Sequence, residues 1–230
     1  MRKLLNQYFV GKFRMYLLVK RAFCILASFI GLVITSPIWI ITVIGIEISD
    51  PGPIFYMANR VGKDNREFKM FKFRSMRVDK KANENSFKAD TNRIFPFGAF
   101  IRASKIDELP QLLNCLIGDM AIVGPRPASV DQVQITRGGE YAVVSSVMPG
   151  LTGPSALYDY VYGDTIEDEE EYEKLVLPTR LELDKYYISH IKMGFDIKMI
   201  WWTVVCIVNS LTHKSGDKIL EKLKSFVSDN

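Results

Sequence analysis

The sequence predicts a mostly helical α+β fold: an N-terminal membrane helix, then a small domain of short strands and interfacial amphipathic helices. Three observations predict it. Residues 22–46, "AFCILASFIGLVITSPIWIITVIGI", carry no charge. Two short segments between 53 and 76 mix aromatic and basic residues in strand-like runs. Later segments place apolar residues at helical spacing. The division that follows is 1–50 for an N-terminal arm and membrane helix, 51–215 for the domain, and 216–230 for a polar tail. Hydrophobic residues at 48% against 24% charged exclude disorder as the dominant state, and a net charge of +4 is too small to argue for nucleic acid. Three cysteines without close spacing (Cys24, Cys115, Cys206) exclude a disulfide framework and a CxxC metal site, and suit a reducing compartment.

The apolar run is long enough to span, since 25 residues of helix reach roughly 37 Å against a hydrocarbon core of about 30 Å. It is too long for a signal peptide and no small-residue cleavage site follows. Two features favour a helix that enters and returns. Pro37 removes a helix hydrogen bond, Ser36 can offer its hydroxyl to the freed carbonyl, and a break there leaves halves of about 22 and 14 Å, each too short to cross. Lys12, Arg14, Lys20 and Arg21 precede the run while Arg60, Lys63 and Arg66 follow it, so both flanks carry the positive charge that marks the cytoplasmic side. Glu47 and Asp50 lie nearer the second end and weaken its vote. From the residues alone, a single span and a re-entrant helix broken at Ser36-Pro37 both remain open.

"PIFYMANRVG" (53–62) and "REFKMFKFRSM" (66–76) read as two strands joined at Gly62–Asn65. Their interleaved basic and aromatic residues resemble a nucleic-acid face, but a strand pair with aromatics inward and lysines toward an anionic membrane is the better reading. Lys72 and Arg74 are reserved as phosphate contacts. Residues 79–93 are polar and read as a loop.

In "SKIDELPQLLNCLIGDMAIVGPRP", Ile106, Leu109, Leu112, Leu113, Leu116 and Ile117 share one helical face, with Gly118 as the stop. Ser104 and Asp107 have the spacing of a capping box, which by itself accounts for Asp107. Pro110 is tolerated only near a helix start, so Asp107 and Glu108 fall in its first turn. Free N–H groups there also make a phosphate site, and Arg102 with a divalent cation would offset repulsion between carboxylate and phosphate. Gly124-Pro125-Arg126-Pro127 fixes the backbone around Arg126, a fork suited to phosphate oxygens. Cap-and-turn chemistry and an anion-handling carboxylate pair are both consistent with these residues.

"EDEEEYEKL" (167–175) reads as the solvated face of a helix, and a second helix runs from Leu177-Pro178 to His190. His190 and His213 have no ligand spacing, which excludes a histidine triad or zinc site. "FDIKMIWWTVVCIVNSL" (195–211) holds Asp196 and Lys198 beside Trp201 and Trp202, a pattern for a helix lying in the interface. Walker, GxGxxG and GxSxG motifs are absent.

The apolar segment with Ser36-Pro37, "FKFRSM", Arg102 followed by "DELPQLLN", "GDMAIVGPRP" and "PGLTG" occur in one order across Tyr16–Thr212. Together they resemble the bacterial sugar transferases that are small monotopic phosphoglycosyl transferases. The resemblance implies a re-entrant helix and a catalytic domain on the cytoplasmic face of the bacterial inner membrane. It implies transfer of a phospho-sugar from a UDP-sugar to polyprenol phosphate, such as undecaprenyl phosphate, with release of UMP, in exopolysaccharide or capsule synthesis. By the same resemblance Asp107 is the nucleophile forming an aspartyl phospho-sugar, Glu108 engages Mg²⁺, and Arg102 and Arg126 line the phosphate site. It allows a homo-oligomer. The chain departs from many members at Met148-Pro149-Gly150, where they have Arg-Pro-Gly, and in "PSALYDYVYGD" after Gly153, where they continue toward a Gln and a later Arg. A non-catalytic membrane scaffold and a glycosyltransferase releasing UDP are the rival functions.

Overall fold

A computed structural model describes residues 2–78, 91–212 and 214–228, with residues 2–14 described by backbone alone. The expected loop at 79–93 therefore lies outside the described residues, apart from a 3-10 turn at Thr91–Arg93, and so does His213.

Helix α1 (Arg2–Ser49) runs through Pro37 without ending there. At the expected break the helix continues, and the carbonyl that proline leaves unbonded is satisfied locally: the Ser36 hydroxyl donates to Val33 O at 2.8 Å. α1 is apolar and exposed over most of its circumference, as at Ile34 and Ile48. A narrow seam of small or polar residues, including Cys24, Ser28 and Thr42, is buried against the domain. Gly31 belongs to this seam: a Cβ there would stand 3.2 Å from Leu112, and one on Gly45 would strike the Phe97 ring. Close approach of backbones through small residues is how helices pack when lipid removes the hydrophobic drive.

Both ends of that seam are clamped. Near the start, Tyr16 donates to Asp196 at 2.7 Å, Lys20 pairs with Asp196 at 2.8 Å, and the Arg21 guanidinium caps the carbonyls of Cys115 and Leu116. At the far end, Arg74 grips the Asp50 carboxylate, Asp50 O and Pro53 O. A cation on the terminal carbonyls of a helix also offsets its dipole.

Strands β1 (Phe55–Val61) and β2 (Glu67–Phe73) pair antiparallel as expected, with Phe55 opposite Phe73 and Val61 opposite Glu67. A 3-10 turn at Lys63–Asn65 joins them. Phe73 is buried with Ile46, Phe95 and Ile101, while Trp39 of α1 meets its ring edge-on at 5.0 Å. Helices α2 (Pro96–Ala103) and α3 (Gln111–Ile117) follow, with Gly118 ending α3 in the left-handed conformation at φ 108°. Strand β3 (Ala121–Val123) pairs in parallel with β5 (Gly150–Thr152), and β4 (Ala128–Ser129) adds to the free side of β1. Between them lies the short helix α4 (Val133–Arg137).

The remaining helices are α5 (Pro154–Val161), α6 (Glu169–Leu175), α7 (Leu177–Ser189), α8 (Met193–Leu211) and α9 (Asp217–Ser228). They enclose the largest core cluster around Tyr158, Leu183, Tyr187 and Met199. The acidic run starts α6 as expected, with Asp168 capping the N–H of Glu171 at 2.8 Å. α8 buries Phe195, Met199, Trp202 and Cys206 and exposes Ile197, Trp201 and Val204. By length and composition, residues Met15–Ser49 and Met193–Leu211 are each able to cross a membrane. The segment after 216 is helical where a polar tail is expected. Its Ile219 and Leu223 face inward four residues apart and are buried in the same core.

Candidate active site

Positioning begins at Pro110. Without an N–H it cannot extend an i→i−4 ladder, and the chain divides into a 3-10 turn, Ile106–Glu108, followed by α3. Lys105 enters that turn at φ 56°, an uncommon conformation for a side-chain-bearing residue. The capping box does not form: the Ser104 hydroxyl donates backward to Phe100 O at 2.8 Å, closing α2. Asp107 is thereby released from the structural role its spacing suggests. Its side chain is 4% exposed, and Oδ1 has no hydrogen-bond partner among the described residues.

β2 is held beside this turn by Asn114 of α3. Its amide accepts from Phe71 N at 2.9 Å and donates to Lys69 O at 2.8 Å, acting as a strand partner for the β2 edge. One residue beyond that grip, Lys72 reaches Glu108 at 2.9 Å. The two adjacent carboxylates are driven in opposite directions. Burial pushes Asp107 above the usual carboxylate range, reinforced by Glu108 and opposed by Lys72, Arg102 and Lys105. Burial opposes ionisation of Glu108 as well, but Lys72, Lys105 and Arg126 outweigh it and pull that group down to about 2.

Opposite lies the Gly-Pro-Arg-Pro turn. Gly124 is required by close approach: a Cβ there would stand 2.5 Å from Met148 O. Pro125 O accepts from Gly150 N at 2.8 Å, locking the turn to β5. Arg126 is anchored through its backbone, donating N–H to Asp184 at 3.2 Å and accepting from Arg137 at 3.1 Å. Its side chain is left for the cleft, where Nε meets Asp159 at 3.1 Å.

The cleft is open to solvent and encloses about 640 Å³ with its mouth included. Of the expected residues, Lys72, Glu108, Arg126 and Pro127 line it. Asp107 and Arg102 do not. In the 3-10 turn Glu108 reaches the lining, and Asp107, the residue before it, is buried next to it. Arg102 remains an electrostatic neighbour of Asp107. Arg74 is placed elsewhere: β2 ends at Phe73, and the next residue turns to the end of α1, where it is 4% exposed. The sequence reading omitted Arg60, Gln111, Asp159 and Arg180, which also line the cleft. Arg60 and Gln111 lie inside the quoted runs "NRVG" and "DELPQ", whereas Asp159 and Arg180 arrive from α5 and α7 with no local signal.

Among the described residues no group of three His, Cys, Asp or Glu side chains is placed to hold a metal. Mg²⁺ does not need one, since it usually takes one or two carboxylates, water and substrate phosphates. Glu108, anionic and facing the cleft, fits that requirement.

The bacterial sugar transferase family matches residues 15–210. An Aeromonas hydrophila UDP-N-acetylgalactosamine-undecaprenyl-phosphate N-acetylgalactosaminephosphotransferase is 34% identical over 84% of this chain and 44% of its own length. An Escherichia coli K12 UDP-glucose:undecaprenyl-phosphate glucose-1-phosphate transferase is 35% identical over 81% of this chain and 39% of its own. The chain thus spans less than half of these two relatives. It aligns with all of a Rhizobium leguminosarum exopolysaccharide production protein, at 33% identity over 88% of this chain. With the match covering both the clamped helix and the whole cleft, the chain belongs to the bacterial sugar transferase family.

Proposed function

We propose that the protein is a phosphoglycosyl transferase, moving a sugar 1-phosphate from a UDP-sugar to undecaprenyl phosphate at the cytoplasmic face of the bacterial membrane. The observation that carries this reading is Asp107: a buried carboxylate beside Glu108, freed from capping, with one oxygen unpartnered. An Asp oxygen attacks the sugar-linked phosphorus, forming an acyl phosphate as the bond to UMP breaks and UMP leaves with the electron pair. An oxygen of the polyprenol phosphate then attacks the same phosphorus, and the carboxylate is restored. Lys72 and Arg126 hold the donor's phosphates, and Arg102 offsets the charge at Asp107. Glu108 would hold Mg²⁺, which when bound neutralises the diphosphate. The activities named for the Aeromonas and Escherichia relatives support the same transfer.

The clamps on α1 support a helix that enters one leaflet and returns. Arg21 and Asp50 are 29 positions apart, about 44 Å of helix, yet both are fastened to one domain. Cysteines placed singly at positions 6 and 225 should stay unreactive to an impermeant maleimide added outside intact cells, and labelling of either would establish a span.

The deciding assay is a panel of UDP-sugars with undecaprenyl phosphate, reading the nucleotide product. UMP is expected; UDP would indicate a glycosyltransferase, and no nucleotide from any donor a scaffold. Asp107→Asn should abolish UMP release and the labelled protein adduct formed without acceptor. Because burial disfavours the charged Asp107, thermal stability at neutral pH should hold or rise. A fall would return Asp107 to a structural role.

A further inference from the structure

We propose that Asp159 is a positioning residue: by holding Nε of Arg126 it aims the two Nη groups of that guanidinium at the donor's diphosphate. The proposal rests on reading Arg126 as a phosphate contact.

The geometry has three parts. Arg126 Nε lies 3.1 Å from Asp159 Oδ2, the arginine side chain is 40% exposed, and Glu108 is its next electrostatic neighbour. A guanidinium is planar with five donors, so fixing Nε sets the plane and leaves the Nη fork for a bidentate phosphate. Second, Asp159 is itself immobilised. Its Oδ1 accepts from Tyr172 OH, and Arg180 donates to that hydroxyl at 2.7 Å while standing 3.7 Å from Oδ2. Burial would neutralise Asp159, but Arg126, Arg180 and Tyr172 outweigh it and keep the carboxylate ionised below its usual range. Third, room is kept around it. Ala156, one turn earlier on α5, lines the cleft beside it, and a Cβ on Gly163 would stand 2.4 Å from Asp159 Oδ1.

An ion pair facing a phosphate site has an opposite reading, in which Asp159 competes with phosphate for Arg126. The two differ in sign. The experiment uses the full-length protein, with UDP as the probe for binding and UMP release for turnover, in Asp159→Asn, Arg126→Ala and the double variant. Positioning predicts that Asp159→Asn weakens UDP binding and raises the donor KM about tenfold, with kcat within threefold, alongside a loss of thermal stability at neutral pH because the depressed carboxylate and its pairs to Arg126 and Arg180 are removed. In the Arg126→Ala background the same substitution should change UDP affinity less than twofold, since its target is gone. Gly163→Ala, which leaves every charge in place but presses on Asp159, should weaken UDP binding about threefold. Tighter UDP binding in Asp159→Asn would establish competition and overturn the proposal. An equal effect in both backgrounds, or a stability loss with unaltered UDP affinity, would overturn it in favour of a scaffold role. UDP binding does not depend on turnover. A wild-type protein that binds UDP yet releases no UMP therefore refutes the proposed reaction alone, while one that does not bind UDP refutes the donor site and this proposal with it.

Discussion

Arg74 and Arg126 are read from the sequence as the same kind of residue, and the structure makes them opposites. Each faces a carboxylate: Arg74 at the junction of α1 with the sheet, Arg126 at the rim of the cleft. At the junction all three nitrogens are engaged, Nε by Pro53 O, Nη1 by the Asp50 carboxylate and Nη2 by Asp50 O, and the side chain is buried. At the rim only Nε is engaged. Charge and partner type do not separate a structural arginine from a ligand-binding one; the number of donors left over does. The carboxylates show the same contrast, since each Asp50 oxygen faces an arginine while Asp107 keeps an unpartnered oxygen.

The largest expected effect tests the rim. Arg126→Lys keeps the charge and the backbone bonds to Asp184 and Arg137, but removes the planar fork. UMP release should fall about a hundredfold, about 2.7 kcal/mol of transition-state stabilisation, with melting temperature nearly unchanged. At the junction the outcome should invert. Arg74→Lys replaces three engaged nitrogens by one and should cost about 2 kcal/mol of stability, with catalysis per folded molecule retained. Equal losses of activity in the two variants would dissolve the distinction.

A third effect separates the paired carboxylates by pH. Lys72, Lys105 and Arg126 pull Glu108 down to about 2 in the folded protein, from about 4.3 in the unfolded chain. A depressed acid stabilises the fold above the unfolded value, and that stability is lost as pH falls from about 4.5 toward 2. Glu108→Gln should flatten the acid limb of a melting-temperature profile in this window. Asp107→Asn should not, because its shift has the opposite sign. An unchanged limb in Glu108→Gln would mean that Lys72 and its neighbours do not hold that charge.

What was legible in the sequence follows from range. The β1–β2 hairpin, the Gly118 stop, the α6–α7 break and the Gly-Pro-Arg-Pro turn are local patterns, and they form where expected. Lys72 and Glu108 were legible as chemistry because strand alternation and the Pro110 boundary bring them to one cleft. The Ser104 cap was misleading because Lys105 takes a left-handed turn that no spacing rule anticipates. Arg74, Asp159 and Arg180 depend on partners 24, 33 and 21 positions away (Asp50, Arg126 and Asp159), and local periodicity carries no record of such pairings. The α1 seam was hidden differently: Cys24, Ser28, Gly31 and Thr42 sit within an uncharged run, and hydropathy does not separate the face toward lipid from the face toward protein.

The smallest expected effect carries the same counting of donors and acceptors into the membrane helix. Pro37 cannot donate to Val33 O, and the Ser36 hydroxyl does so instead at 2.8 Å. In the hydrocarbon of a bilayer no water is present to take over, so an unbonded carbonyl there is costly. Ser36→Ala should therefore lower thermal stability in detergent by about 1 kcal/mol, the usual net value of one hydrogen bond, and more in bilayers. Adding Pro37→Ala restores a backbone N–H at the position that lacked one, and should recover the loss. The serine then matters only because the proline is present, and the two effects are non-additive. If Ser36→Ala costs the same with alanine at 37, the hydroxyl serves something other than Val33 O. If Pro37→Ala alone moves the labelling pattern of cysteines at 6 and 225, the proline sets how α1 enters the membrane, and the serine makes that proline tolerable within one continuous helix.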